Sequence, residues 1–329
     1  MSCNDKRHAC KCLLALCLIA VFAQPADAQK RSEKEADGFI GPVKNVYTTT
    51  AYVAGESSGP SQEMPALSHS FTYDDKGRLL EDAEILPDGS PDIRRTWKYD
   101  SRGNEIEHAY FVHDNLVFRT LKAYDAEGRE TRSVEYGSGD SVRSKTRSTY
   151  RFKGRLREVK LNEPDGTLRR KALIKYDRRG QMIERREYEV NGILGHRYVF
   201  SYDVNGNKTE EIDYYRDERH LPRISKETLT YDAKNRLIAE AVYLRGSLSS
   251  KKVSTFDDKG NVIEQIKYDG KGSIEEKSTI SYVEFDSREN WIKAILKTSA
   301  ANKESPLNRT MIMRRTISYF AGPTIAETH

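Results

Sequence analysis

A short phrase recurs through this chain: a Tyr or Phe, an Asp, two variable residues, then usually Gly and a long polar side chain. It reads Tyr73-Asp74-Asp75-Lys76-Gly77-Arg78 and Tyr99-Asp100-Ser101-Arg102-Gly103-Asn104, and returns with first aromatics at Tyr124, Tyr150, Tyr176, Tyr202, Tyr231, Phe256 and Phe285. The intervals lie between 25 and 29 residues, so most of the chain is one supersecondary unit copied nine times. Copying at that period favours one array that grows by adding units over the two domains that 329 residues would otherwise suggest.

The phrase is a turn flanked by extended stretches, as in Arg94 to Tyr99 before and Glu105 to Phe111 after. Aromatic and β-branched residues with a turn every dozen positions are the pattern of short antiparallel strands. Asp at the head of a type I turn accepts a backbone N–H two residues on, and Gly three positions later supplies the positive φ that closes a bulged hairpin. The turn pairs are therefore Asp74 with Gly77, Asp100 with Gly103, Asp125 with Gly128, Asp177 with Gly180, Asp203 with Gly206, Asp232 with Asn235, and Asp257 with Gly260. Asn235 stands in for Gly because Asn best tolerates the left-handed region. Glu289 breaks the rule, and the unit at Tyr150 keeps Gly154 but lacks the Asp.

A second turn falls between phrases, at Pro87-Asp88-Gly89-Ser90, Pro164-Asp165-Gly166-Thr167, Val190-Asn191-Gly192 and Arg245-Gly246-Ser247. The expected fold is all-β, a long antiparallel meander of about 18 strands from nine hairpins. Phe71, Trp97, Ile174, Phe200, Leu229 and Val283, two before the phrase aromatic, should share its face, while Lys98, Lys175 and Thr255 between them face the other way. Leu80, Ile106, Ile183, Ile238, Ile263 and Ile292, seven after the aromatic, have the wrong parity, which calls for a bulge or apolar cover on both faces. Such a sheet should twist and curl into a trough, a shell segment or a barrel-like sheet.

Residues 1–28 differ: Lys6, Arg7 and Lys11 precede an apolar run from Leu13 to Ala23 and then Ala26-Asp27-Ala28. This is the pattern of a secretory signal cleaved after Ala28, and the run is too short to span a bilayer. Acylation at Cys17 is disfavoured, since Leu16 occupies the place of a small residue. All four cysteines lie in this leader, which leaves the mature chain without disulfides or thiolates and without a transmembrane helix. Residues 29–72 read as an N-terminal capping strand and loop, 73–320 as the repeats, and 321–329 as a loose tail. The expected location is the periplasm, cell envelope or medium.

The phrase resembles the YD repeat of the RHS and YD-repeat family of secreted bacterial proteins, as in Tyr176-Asp177-Arg178-Arg179-Gly180-Gln181 and Tyr202-Asp203-Val204-Asn205-Gly206-Asn207. The resemblance implies curling β-sheets at the cell surface, with carbohydrate binding proposed for the family. Only a short tail follows the last repeat, too small for an effector domain.

Chemistry is hard to find. The histidines are scattered, and there is no HExxH, GxSxG, P-loop or dinucleotide turn. No enzyme activity, cofactor or metal is expected. Asp203, Asn205 and Asn207 come nearest to a calcium loop, but Lys208 stands where such loops need Gly. With Lys plus Arg at 55 and Asp plus Glu at 50, mixed along the chain, charge points to no nucleic acid partner. An outer-membrane barrel would need one parity apolar throughout, and Lys122, Arg147, Lys171, Arg185, Arg186 and Glu187 put charge on both. The candidates for recognition are exposed aromatics, Trp97, Tyr110, Tyr188, Tyr214, Tyr215, Tyr243 and Tyr268. The expectation is a binding or adhesion module with a glycan or a cell-surface protein as partner, the alternative being an envelope scaffold.

Overall fold

In the computed structural model, which describes residues 32–54, 62–216, 222–301 and 309–321, the phrase folds as its chemistry requires. At the first copy Asp74 N–H donates to the Arg78 carbonyl and Gly77 N–H to the Asp74 carbonyl. Asp74 Oδ1 then accepts the backbone N–H groups of Lys76 and Arg78, each at 2.9 Å. Asp100, Asp125, Asp177, Asp203, Asp232 and Asp286 repeat this. Asn235 takes the positive φ at 60°, and Glu289 does so at 67°. Without its Asp, the turn after Tyr150 places Phe152, Lys153 and Gly154 all at positive φ.

The nine hairpins supply eighteen strands. They are β3 (Ser68–Tyr73), β4 (Leu79–Ile85), β5 (Pro91–Tyr99), β6 (Glu105–Val112), β7 (Asn115–Tyr124) and β8 (Glu130–Gly137). Then come β9 (Val142–Arg151), β10 (Leu156–Asn162), β11 (Leu168–Tyr176), β12 (Met182–Tyr188), β13 (Leu194–Tyr202) and β14 (Lys208–Arg216). The last six are β15 (Pro222–Tyr231), β16 (Leu237–Leu244), β17 (Ser247–Phe256), β18 (Val262–Asp269), β19 (Ile274–Phe285) and β20 (Trp291–Ala300). Three more complete the sheet: β1 (Val43–Ala54), β2 (Gln62–Pro65) and β21 (Arg309–Tyr319). The leader expected over 1–28, most of the tail, and the longer connections at 217–221 and 302–308 lie outside the described residues.

Closure corrects the expectation of a trough or open meander. Strand β1 pairs along its length with β21, and on its other side with β3 (Asn45 to Thr48) and β2 (Ala51 to Ala54). Since β2 and β3 together act as one interrupted strand, 20 strands go round an antiparallel barrel with no free edge. The segment expected to cap the array instead joins its two ends. Residues before β1 reinforce the seam: Ile40 N–H and carbonyl both bond the buried Asn290 side chain in the last phrase turn, while Lys34 N–H bonds Gly77 O in the first. A short helix, α1 (Glu33–Ala36), capped by Ser32, starts this segment. Phe39, Val43, Val46 and Tyr73 form the buried apolar cluster there.

The parity conflict resolves as a bulge in each phrase hairpin. Tyr99 lies opposite Glu105 and Lys98 opposite Glu107, so Ile106 is the extra residue. Ile183, Ile238, Ile263 and Ile292 are extra in the same way. Side chains on the concave face of a closed sheet converge while those on the convex face splay, so exposure tells the two apart. One face holds the buried Val46, Asp82, Ser148, Ala172, Ser278, Leu296 and Thr298, and is concave. The other holds the exposed Thr49, Lys98, Arg147, Lys160, Lys175, Lys251 and Lys297, its buried side chains being mostly small ones such as Ala83, Ala109 and Ala241 or the ion-paired Glu184, and is convex.

Neighbouring units are locked by the phrase tyrosine. The hydroxyls of Tyr99, Tyr124, Tyr150 and Tyr202 donate to the carbonyls of Leu79, Glu105, Glu130 and Met182, at 2.6 to 2.9 Å, each at the start of the preceding unit's outgoing strand. In the last unit Tyr282 does this to Val262, where a bulge displaces the phrase register. The guanidinium groups of Arg78, Arg129 and Arg236 sit 4.7 to 4.8 Å over the next aromatic, Tyr99, Tyr150 and Phe256.

Candidate functional site: an aromatic groove on the convex wall

Register divides the seven candidate aromatics between the faces. Trp97, Tyr110 and Tyr215 are concave; Tyr188, Tyr214, Tyr243 and Tyr268 are convex. Two pairs are brought together: Tyr214 with Tyr243 on the convex wall, and Trp97 with Tyr110 on the concave one. On β14, Tyr214 and Tyr215 point to opposite faces by strand alternation, and Tyr214 faces Ile224 of β15. Lys226, two residues on, faces Ile212 on one side and Tyr243 of β16 on the other. The two residues thus flank a single strand, two strand spacings across and two residues along, ~12 Å apart.

They line an open groove of about 650 Å³ whose floor is Ile212, Ile224 and Lys226. The turn at Arg245-Gly246, both at positive φ, forms its rim and is tied back by Arg245 N–H to the Ile224 carbonyl at 3.1 Å. Ile224 is 47% exposed and Tyr214 37%, so both offer apolar surface to solvent. Cations fix the rings: Arg197 lies 5.5 Å from the Tyr214 centroid and Lys226 5.1 Å from that of Tyr243. An aromatic pair with an aliphatic floor and cationic side chains, Lys226 and Arg245, beside it can stack an apolar ring face while bonding its polar edge.

On the same wall Tyr188 lies opposite Lys171 and accepts a hydrogen bond from the Arg186 guanidinium, and Tyr268 lies opposite Lys251. On the concave wall, Trp97 stacks on His108 at 5.2 Å, with Phe118 edge-on to the imidazole at 5.8 Å and stacked on Tyr110 at 5.3 Å. Burial holds the His108 imidazole below its ordinary range, and its buried Nε2 has no hydrogen-bond partner. Beside this cluster His69 bonds Asp82, and Arg95 reaches Asp82 at 2.9 Å and Glu84 at 3.4 Å. Across the barrel His196 stacks between Tyr198 and Tyr215 and bonds Asp213 at 3.1 Å. Burial raises the Asp213 carboxyl above the usual range. These groupings were missed because each depends on register between two or three strands.

The Asp203 carboxylate, nearest in sequence to a calcium ligand set, is occupied by the N–H groups of Asn205 and Asn207 and by the Asn207 amide. Among the described residues no three His, Cys, Asp or Glu side chains come together as metal ligands. No described helix is long and apolar enough to cross a membrane.

No family model matches the chain, and no curated protein matches it. Among solved structures it is similar to a porin-like protein from Bacteroides uniformis, with 10% identity over 85% of this chain and 98% of that one, at a TM-score of 0.35. A second porin-like protein, from Bacteroides vulgatus, matches at 11% identity over 83% and 97%, with a TM-score of 0.30. A DUF1329 family protein from Desulfovibrio piger matches at 8% identity over 85% and 87%, with a TM-score of 0.20. At these scores the likenesses carry no argument about function.

Proposed function

We propose that this chain is an exported binding module that holds a saccharide ligand in the convex groove over β14, β15 and β16. The observation that carries the reading is the placement of Tyr214 and Tyr243 on either side of the exposed Ile224, with Lys226 between them. Sugar rings offer an apolar face for aromatic stacking and hydroxyls for the adjacent Lys226 and Arg245 side chains. Export rests on the leader over residues 1–28. The charged convex wall, with Lys98, Arg147, Lys160 and Lys251 in mid-sheet, speaks against lipid contact through the strands, which needs an apolar band about 25 Å tall.

A glycan array with the purified chain tests this, followed by titration of any hit. Tyr214→Ala and Tyr243→Ala should each weaken binding on the order of 10-fold, with Tyr188→Ala and Tyr268→Ala unchanged. Binding indifferent to both groove tyrosines, or no glycan bound, would overturn the reading. The hydroxyl-to-carbonyl locks between repeats favour the second reading, a scaffold whose units are built for rigidity.

A further inference from the structure

The convex wall sorts charge in a way the linear sequence conceals. Arg132 of β8 lies directly opposite Arg147 of β9, which lies opposite Lys160 of β10, which lies opposite Lys171 of β11. Four adjacent strands therefore present four cations in one row. In the next row Arg186 of β12 lies opposite Arg197 of β13. Only two carboxylates, Glu158 and Glu184, share the convex side of β8 to β13. Both are taken: Glu158 by Lys160 and Lys171, Glu184 by Lys175, Arg186 and Arg197. Arg132 and Arg147 are exposed, with no carboxylate within ion-pair distance among the described residues.

Like charges placed directly opposite one another destabilise a sheet. Elsewhere on the same wall such a pair is neutralised, Lys293 and the facing Arg314 being held by Glu284 at 2.9 Å and Glu63 at 2.8 Å, while Lys98 is matched with the facing Glu107 at 2.9 Å. A stretch of wall that tolerates repulsion is explained by an anion outside the chain. The form of the patch narrows the partner. It spans several strands at about 4.8 Å each and several rows at about 7 Å each, so it extends in two dimensions. It is convex, and neither the groove over β14 to β16 nor the smaller cavity beside Thr120 and Thr146 contains the ladder residues. A single linear polyanion would be met by one line or a cleft; a two-dimensional array on a bulging wall fits a flat charged surface.

We propose that the convex face of β8 to β13 docks the barrel onto a bilayer of acidic phospholipid. The contact is electrostatic, through side chains that reach the headgroups without insertion. The test is co-sedimentation of the purified chain with vesicles of phosphatidylglycerol and phosphatidylcholine in equal parts, against phosphatidylcholine alone. The chain should bind the acidic vesicles and be released by raising the salt to about 0.5 M, where the screening length falls to a few ångströms. Arg132→Ser with Arg147→Ser should weaken partitioning by about 30-fold, while Lys251→Ser with Lys297→Ser, exposed on other convex strands, leaves it unchanged. Relief of repulsion also predicts that the arginine double variant unfolds at the same urea concentration as the parent or a higher one. Equal binding to neutral vesicles, unchanged partitioning of the double variant, or capture of soluble polyphosphate without vesicle binding would each overturn the proposal.

Discussion

Glu184 offers the sharpest quantitative test of how this wall is held. It is 7% exposed and surrounded by three cations: Lys175 Nζ at 2.8 Å, Arg197 Nε at 2.7 Å and the Arg186 guanidinium at 2.9 Å. Burial opposes ionisation, but the hydrogen bonds from Lys175, Arg197 and Arg186 overcome it and hold the carboxyl at about 2 instead of its ordinary 4.5. A depressed folded-state value means that the stabilisation is fully present above 4.5 and is lost as pH falls toward 2. Linkage sets a ceiling of about 3 kcal/mol. Arg186, Arg197 and Lys175 are 35%, 41% and 50% exposed, so solvent screening reduces this to about 1–2 kcal/mol. Glu184→Gln should therefore lower unfolding stability at pH 7 by about 1–2 kcal/mol, more at low salt, since Arg186 and Arg197 are left facing each other. Urea unfolding followed by circular dichroism at pH 7 and at about pH 2.5 reads the difference, most of which should vanish at the lower pH. A variant as stable as the parent at pH 7, or a gap that persists in acid, would refute the assignment.

Tyr202→Phe removes a hydroxyl that bonds the Met182 carbonyl at 2.8 Å, and should cost about 1 kcal/mol in urea unfolding. Tyr124→Phe, in a different unit, should add independently; no loss from the pair would remove the hydroxyl locks from the account. Gly103→Ala forces a Cβ onto a residue at φ +88° and should destabilise by roughly 1 kcal/mol or more in the same assay.

The turn was legible because it is local: Asp, the backbone N–H groups it accepts and a residue at positive φ lie within five positions, and eight of the nine phrases carry that Asp. The eighteen hairpin strands followed directly. Closure was not legible, because β1 meets β21 across some 270 residues and nothing in Val43 to Val53 marks a strand that will be paired on both sides. Nor could the charge segregation be tallied by alternation. Each extra residue, such as Ile106, resets the parity between incoming and outgoing strands, so Arg132, Arg147, Lys160 and Lys171 share a face only once the bulges are placed. For the same reason seven candidate aromatics read as one class, although the barrel wall separates Tyr214 from Tyr215.

Closure rests on the pairing of β1 with β21, which a cross-link between the two strands reads out. Asn45 and Ser318 are exposed partners across that seam, the Asn45 amide donating to the Ser318 hydroxyl at 3.1 Å. In a chain with Cys3, Cys10, Cys12 and Cys17 replaced by serine, Asn45→Cys with Ser318→Cys should oxidise readily to an intramolecular disulfide. Asn45→Cys with Ser281→Cys, whose second site lies on β19, should not. A closed barrel predicts the disulfide in the first pair alone. Two persistent free thiols at positions 45 and 318 would mean that β1 and β21 are the separate edges of an open sheet.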